Sequence, residues 1–204
     1  MRCLAAVVLA LIPTVGLARA GEEAVEAGLV CEIFAFDKAL EDFPKIEKTT
    51  KPNVVRVDPQ IKFEGTSEKW PGTEYVDYFS IRWTGVLRVP KDGKYTIYTE
   101  SDDGSRVFIA GKQIVDNNGL HAMDEKSGEV ELKAGDVEIK IEFFENDGAA
   151  GCMVSWSAEG LEKQGIPATA LFHKKGTEKI ETAKPDAAKP GEAKPEAKPE
   201  AKKE

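Results

Sequence analysis

The sequence is poor in the residues that zinc sites and thiol nucleophiles use, with two histidines and three cysteines among 204 residues. Neither His121 nor His173 stands at a spacing from a cysteine that fits such a site. Both have polar neighbours in the sequence, so we expect them to face solvent. There is also no phosphate-binding glycine loop and no dinucleotide fingerprint. The sequence therefore gives no support for thiol, zinc or nucleotide-dependent chemistry.

Long apolar runs are missing except near the start of the chain. The run Leu4–Ile12 follows a basic residue and precedes the small-residue cleavage pattern Ala18–Ala20. This arrangement predicts a secretory signal peptide over residues 1–20 and a secreted or periplasmic protein. A retained membrane anchor is the weaker alternative, because the run is too short to span a bilayer. We expect no integral membrane segment after cleavage.

Large apolar residues are also rare at the other end. From Thr177 onward the sequence repeats Ala-Lys-Pro-Glu units. Such a segment cannot bury enough surface to offset the entropy of ordering it, so we predict a disordered, solvated tail over residues 176–204. The tail is interpreted as a spacer, with attachment to an acidic or glycan-bearing wall polymer as the alternative.

An excess of positive charge is absent as well. The chain has 28 Lys and Arg against 36 Asp and Glu, a net charge of −8. An acidic surface repels phosphate backbones, so we expect no nucleic-acid partner.

Between residues 27 and 173 the sequence is dominated by short segments rich in Val, Ile, Phe, Tyr and Thr, separated by Gly, Pro, Asn and Asp. Val137, Ile139, Ile141 and Phe143 alternate with charged residues, which is typical of a half-buried strand. A short turn of helix is allowed only at residues 37–43. The pattern predicts an all-β domain, an antiparallel β-sandwich or barrel. The expected strands are Leu29–Phe36, Val54–Val57, Tyr75–Leu87, Gly93–Glu100, Ser105–Ile109, Lys112–Val115, Glu129–Leu132, Val137–Phe144 and Cys152–Ser157.

The tryptophans and the two cysteines of the expected domain have different roles. Trp83 and Trp156 lie in alternating strands, so we expect them in the core. Trp70 lies in a loop, either as a plug on the sandwich rim or as an exposed stacking platform for a ligand. The spacing of Cys31 and Cys152 allows one disulfide and equally allows two buried free thiols.

The order of several motifs resembles a known family. The segments RWTG (82–85), SDDG (101–104), AGD (134–136) and a final SW (155–156) follow one another between residues 27 and 172 as they do in the lectin-like "PA-fourteen" domain, first named from anthrax protective antigen. The resemblance implies a lectin-like β-sandwich that binds glycans, often with calcium. It departs from the family at Ala110, where aspartate is frequent, and it lacks the long specificity loop of the fungal adhesins.

The resemblance also implies a metal site. In sugar-binding members the peptide between the paired aspartates is cis, and an asparagine before the last strand completes a calcium site. Asp102, Asp103 and Asn146 match these positions. Carboxylate, amide and backbone oxygens are the ligands that Ca²⁺ prefers. Nearby polar residues are candidates for ligand contact, namely Asp147, Asn117, Asn118, Glu145 and, if exposed, Trp70.

The carboxylates have two other interpretations. Asp-Asp-Gly is also an ordinary hairpin turn, in which an aspartate caps backbone amides and glycine supplies a positive φ. Paired acids also catalyse glycoside hydrolysis, but these acids are scattered and no second domain forms a cleft, so we expect no enzyme. The sequence therefore predicts a calcium-dependent carbohydrate-binding module, with a structural or protein-interaction domain of the cell envelope as the alternative.

Overall fold

The computed structural model describes residues 24–183. The predicted signal peptide and the tail beyond residue 183 lie outside the described residues. Within the described part, no helix is long and apolar enough to cross a membrane.

The described residues form thirteen strands and one short 3-10 helix. In chain order the elements are β1 Val25–Ala27, β2 Leu29–Ala35, β3 Val54–Asp58, β4 Lys62–Thr66, β5 Phe79–Val89, β6 Gly93–Asp102, β7 Ser105–Ile109, β8 Lys112–Asn117, β9 Asp124–Leu132, β10 Gly135–Glu145, β11 Ala150–Ala158, β12 Leu161–Gly165, the 3-10 helix Ala168–Ala170 and β13 Leu171–Lys174.

The strands form two sheets in which every pair is antiparallel. The eight-stranded sheet runs β1-β13-β5-β10-β7-β8, and β2 pairs with both β5 and β3. The five-stranded sheet runs β12-β11-β6-β9, with β4 also paired to β11. The predicted all-β antiparallel sandwich is therefore confirmed. All nine predicted strands are present, and the short strands β1, β4, β12 and β13 add to them.

The core lies between the sheets, as the alternation of residues requires. In β6, Tyr95, Ile97 and Thr99 are buried while their neighbours in the strand are partly exposed. Trp83 and Trp156 are 0% and 3% exposed, which confirms their assignment to the core. Indole and phenyl rings bury large apolar areas, so these side chains contribute strongly to sandwich stability.

The short helical turn that the sequence allows before β3 is not formed. Residues 37–43 form bends and no helical turn. The amide of Leu40 donates to Oδ1 of Asn146 at 2.9 Å, and the amide of Phe43 donates to Asp42 Oδ1 at 2.6 Å. These side-chain acceptors replace the helical carbonyls, and the Phe43 ring packs edge-on against Phe144 with ring centroids 5.0 Å apart.

The ordered domain extends beyond the predicted limit at residue 173. The amide of Ala183 donates to the carbonyl of Pro52 at 2.7 Å, and Lys51 pairs with Glu181 at 2.8 Å. His173 is 3% exposed and its Nδ1 lies 3.0 Å from the Gly28 carbonyl, so the prediction that it faces solvent was wrong. The segment after β13 thus packs on the domain for about ten residues.

Candidate functional site

The two aspartates lie where the chain passes from one sheet to the other. Asp102 ends β6 in the five-stranded sheet, and Ser105 begins β7 in the eight-stranded sheet. Asp-Asp-Gly is therefore a crossover between sheets and not a hairpin turn. The peptide bond joining Asp102 and Asp103 is cis, as the resemblance predicted. A Cβ on Gly104 would lie 2.4 Å from Cε1 of Phe144, so glycine is required there by close packing.

Asp103 is held rigidly at this crossover. Its side chain is 5% exposed, and both carboxylate oxygens accept backbone hydrogen bonds. Oδ1 accepts from the amide of His121 at 2.9 Å, and Oδ2 accepts from the amide of Asn146 at 2.9 Å. One carboxylate thereby fixes two loops. Each hydrogen bond compensates a backbone amide for the contact with water that it loses on burial.

Glu145, the last residue of β10, is the third acid of the site. It shares the core-facing side of the strand with Ile141 and Phe143 and is fully buried. Its Oε2 accepts from the amide of Asp103 at 3.2 Å, whereas Oε1 is buried and has no hydrogen-bond partner among the described residues. Burial, followed by the charges of Asp103 and Asp102, raises the pKa of Glu145 to about 9.

The three carboxylates converge closely. One oxygen from each of Asp102, Asp103 and Glu145 can be chosen so that all three atoms lie within 4.8 Å of one another. Asp102 is the most accessible of the three, and burial together with the charge of Asp103 raises its pKa. This all-oxygen donor set fits a hard divalent cation such as Ca²⁺.

Asn146 lies beside the carboxylates, but its side chain also holds the surrounding loops. Its Oδ1 accepts from Leu40, its Nδ2 donates to Asp147 Oδ1 at 3.2 Å, and its carbonyl accepts from the amide of Tyr78 at 3.0 Å. An amide oxygen has two lone pairs, so Oδ1 retains one after accepting from Leu40. Asp147 is exposed at the rim. The structure thus brings together the predicted residues Asp102, Asp103, Asn146 and Asp147.

Asn117, which the sequence proposed for ligand contact, is instead buried beneath the site. It is 2% exposed, and its Nδ2 donates to Ser101 Oγ at 3.2 Å and to the carbonyl of Asp124 at 2.9 Å. Ser101 continues a buried chain of hydroxyl contacts through Ser105 to Thr99. Asn117 therefore belongs to the floor of the site, because its amide is needed to satisfy buried polar groups.

Trp70 was a candidate for ligand stacking, and that prediction was also wrong. The side chain is 1% exposed and packs against Phe63 and Phe143, with ring centroids 4.7 and 5.3 Å away. A ligand cannot reach a ring enclosed by other aromatic rings. Trp70 is instead a buried plug of the sandwich, which was the other role predicted for it.

The two cysteines do not form a disulfide, so the bridge alternative was wrong. Cys31 and Cys152 are free and buried, on β2 of one sheet and β11 of the other. Burial raises the pKa of Cys152 to about 12 and that of Cys31 still further. Because the thiolate is the reactive form of cysteine, these protonated thiols are unreactive and serve to pack the core.

The segment between β8 and β9 forms one wall of the site. The His121 ring is half-buried, with Nε2 3.2 Å from the carbonyl of Asn117 and Nδ1 3.0 Å from that of Ala122. Leu120, directly before the amide that binds Asp103, is 51% exposed. An exposed apolar residue therefore directly precedes, in the sequence, the residue whose amide holds Asp103.

Sequence reasoning named Glu145 only as a nearby polar residue and missed its place in the cluster. A signal was present in the alternation of β10. Residues 139, 141 and 143 face the core, and position 145 continues the same parity. A carboxylate at a core-facing position is informative, because buried charges need a compensating partner.

Comparison with known proteins identifies relatives of this domain. A family model described as the PA14 domain matches residues 26–170. The anti-sigma-I factor RsgI3 of Acetivibrio thermocellus is 34% identical over 126 residues, which cover 60% of this chain and 19% of that protein. The chain thus spans about a fifth of the length of that curated relative.

Two solved structures illustrate the range of similar proteins. An anti-sigma factor domain-containing protein has a TM-score of 0.63 and 29% identity, covering 74% of this chain and 50% of its own. A PA14 sugar-binding domain from an RTX adhesin also has a TM-score of 0.63, with 18% identity, covering 72% of this chain and 98% of its own. The second likeness concerns the fold alone.

The fold and the site define a lectin-like antiparallel β-sandwich with a carboxylate cluster at its rim. With most of its length matched by the family model, the chain belongs to the PA14 domain family. The family resemblance drawn from the sequence motifs is therefore confirmed.

Proposed function

We propose that this domain is a calcium-dependent carbohydrate-binding module that binds glycans at the rim of the sandwich. The observation that carries the proposal is the convergence of three carboxylates, one of which has a buried oxygen without a partner. Such an arrangement is costly unless a cation compensates it, because burial and the neighbouring acids oppose the ionisation of Glu145, and its buried oxygen has lost its hydrogen bond to water.

The residues present fit calcium. Asp102 and Asp103 supply carboxylate oxygens, the free lone pair of Asn146 Oδ1 supplies an amide oxygen, and the carbonyls of residues 148–151 are the candidate backbone ligands. When bound, Ca²⁺ offers coordination positions that a pair of sugar hydroxyls can fill. The affinity for calcium is expected to be weak, with a Kd of roughly 10⁻⁴ to 10⁻³ M for an exposed extracellular site.

A glycan is the favoured ligand because the site combines polar and apolar contacts in an exposed position. Asp147 is exposed beside Asn146, and Leu120 is an exposed aliphatic residue that directly precedes His121, whose amide binds Asp103. Sugars present hydroxyl pairs together with C–H faces, and so match both. The RTX adhesin domain with the same fold is described as sugar-binding, which supports this class of ligand.

We propose binding without catalysis. Glycosidases hold two carboxyl groups roughly 5 to 9.5 Å apart so that the scissile bond or a water fits between them. Here the acids converge on one point, and two of them are bonded to backbone amides, which suits a shared cation better than an acid and a nucleophile on either side of a scissile bond. The predicted signal peptide supports a location outside the cytoplasm, either secreted or periplasmic.

A second candidate follows from the relatives. RsgI3 and the solved 29% identical protein carry the name of anti-sigma factors, which favours a structural or protein-interaction role in a larger envelope assembly. This alternative does not require calcium. The two functions therefore differ in a simple observable, the effect of calcium on stability.

Thermal unfolding of the full chain in 10 mM calcium and in chelator tests the proposal. At ten to a hundred times Kd, a ligand that binds only the folded state adds about 1.4 to 2.7 kcal/mol, or several degrees in Tm. Asp102→Asn is the informative variant, because this side chain is more accessible than that of Asp103. We expect the calcium shift in the natural chain and its loss in the variant. Equal Tm values with and without calcium in the natural chain would favour the protein-interaction role.

A further inference from the structure

Glu145 and Asp103 differ from Glu32 and Asp58, the other buried acids among the described residues, in forming no ion pair. Buried Glu32 forms a two-point pair with Arg82, and Asp58 contacts Arg56. Among residues 24–183, no ion pair involves Glu145 or either aspartate of the cluster. The charges that act on Glu145 are those of other acids, Asp103, Asp102 and Asp77, and each raises its pKa.

The geometry points Glu145 at the cluster. Oε2 is held by the amide of Asp103 at 3.2 Å, so the carboxylate is fixed beside that residue. Oε1 is fully buried without a hydrogen bond, while one oxygen of the group lies within 4.8 Å of oxygens of both aspartates. A buried polar atom without a partner is rare in folded proteins and calls for a ligand or an ordered water.

We propose that Glu145 is a further ligand of the cation site, so that three carboxylates hold the ion. The proposal rests on the proposed calcium function and extends it to a residue outside the predicted set Asp102, Asp103 and Asn146. Ligand charge strongly affects calcium affinity, and a third carboxylate therefore tightens binding. The same group weakens the metal-free fold, because burial and the charges of the two aspartates oppose its ionisation.

Two opposite effects of one substitution test this proposal. Glu145→Gln keeps the shape of the side chain and removes its ability to ionise. Calcium binding is measured by titration calorimetry on the full chain at pH 8, and Tm is measured in chelator. We expect the calcium Kd to rise on the order of tenfold or more, and the Tm in chelator to rise as well.

Glu142→Gln is the matched control on the same strand. Glu142 faces the opposite side of β10 and pairs with Arg106 and Lys140 at 2.6 and 2.7 Å. Its loss should lower Tm by the same amount with and without calcium and leave the calcium Kd unchanged. A second variant, Glu145→Asp, keeps a carboxyl group on a side chain that is one methylene shorter. Its calcium Kd should therefore lie between those of the natural chain and Glu145→Gln.

The outcomes separate this inference from the proposed function. If the natural chain binds no calcium, both fail together. If the natural chain binds calcium and Glu145→Gln binds it equally well, Glu145 is no ligand and its Oε1 is satisfied by water. A lower Tm of Glu145→Gln in chelator would also overturn the inference, because the carboxylate would then stabilise the metal-free fold.

Discussion

Oε2 of Glu145 accepts a hydrogen bond from the backbone amide of Asp103, and this contact of 3.2 Å joins the two sheets of the sandwich. Glu145 ends β10 of the eight-stranded sheet, and Asp103 follows β6 of the five-stranded sheet. The carboxylate cluster is therefore a junction of the fold. Any ligand bound there is coupled to the stability of the domain, because the residues that would contact it come from both sheets.

Stability in chelator should fall as pH rises from about 5 to 9. Burial and neighbouring carboxylates raise the pKa of Glu145 from 4.5 to about 9. In this range the folded state keeps a proton that the unfolded chain has released, so raising the pH favours unfolding. The stabilisation that comes from protonated Glu145 is complete below the pKa of this group in the unfolded chain. It is lost as the pH rises through the pKa of the group in the folded state. The difference in Tm between the natural chain and Glu145→Gln, followed across pH, measures it. A difference that stays constant from pH 5 to 9 would contradict the assignment.

Asn117→Ala should destabilise the domain by about 1 to 3 kcal/mol, because it leaves buried polar groups without a partner. Its neighbour Asn118 is exposed and bonded to Asp42, so Asn118→Ala should change stability by less than about 0.5 kcal/mol. Denaturant unfolding of both variants provides the comparison. Asn117 would instead be a ligand-contact residue if its replacement left stability unchanged and abolished glycan binding.

Leu120→Ser should weaken glycan binding without changing the calcium-induced shift in Tm. Leu120 is exposed and directly precedes His121, whose amide binds Asp103, and its side chain has no oxygen to offer calcium, so its replacement tests the ligand surface alone. Val57, the other large apolar side chain that is exposed among the described residues, serves as control. Val57→Ser should leave glycan binding intact. Equal glycan binding by Leu120→Ser and the natural chain would remove Leu120 from the ligand surface.

Ala110→Asn should raise the stability of the domain by about 1 kcal/mol. Ala110 has φ 49° and Gly111 has φ 76° in the two-residue turn between β7 and β8. Asn-Gly is the favoured pair for such a turn, whereas alanine is strained at positive φ. Ala134→Asn, at an exposed position without a positive φ, should not stabilise. The measurement is Tm, with an expected rise of about 2 to 4 °C.

The fold was predictable because local signals were consistent along the chain. Alternation in β6 and β10 fixed which residues face the core, and turn residues marked most strand ends. The short strands β1, β4, β12 and β13 were missed, since each contains at most two large apolar residues and so carries too little alternation. The bends at residues 37–43 were missed because their amides bond to the side chains of Asn146 and Asp42, the first of them far away in the sequence.

The candidate site was predictable only in part. Asp102, Asp103 and Asn146 were named from motif order, and the structure places them together. The burial of Trp70 and Asn117 depends on contacts with distant strands, which the composition of a loop does not reveal. Glu145 was overlooked as a cluster member because its importance comes from the crossover that brings β6 to the end of β10.

The most direct measurement of the central claim is glycan-array binding by the full chain in 10 mM calcium and in chelator, with Asp102→Asn beside the natural sequence. We predict that the natural chain binds a set of glycans in calcium only and that the variant binds none. Glycan binding that persists in chelator, or an array without binding although calcium raises Tm, would contradict calcium-dependent carbohydrate recognition.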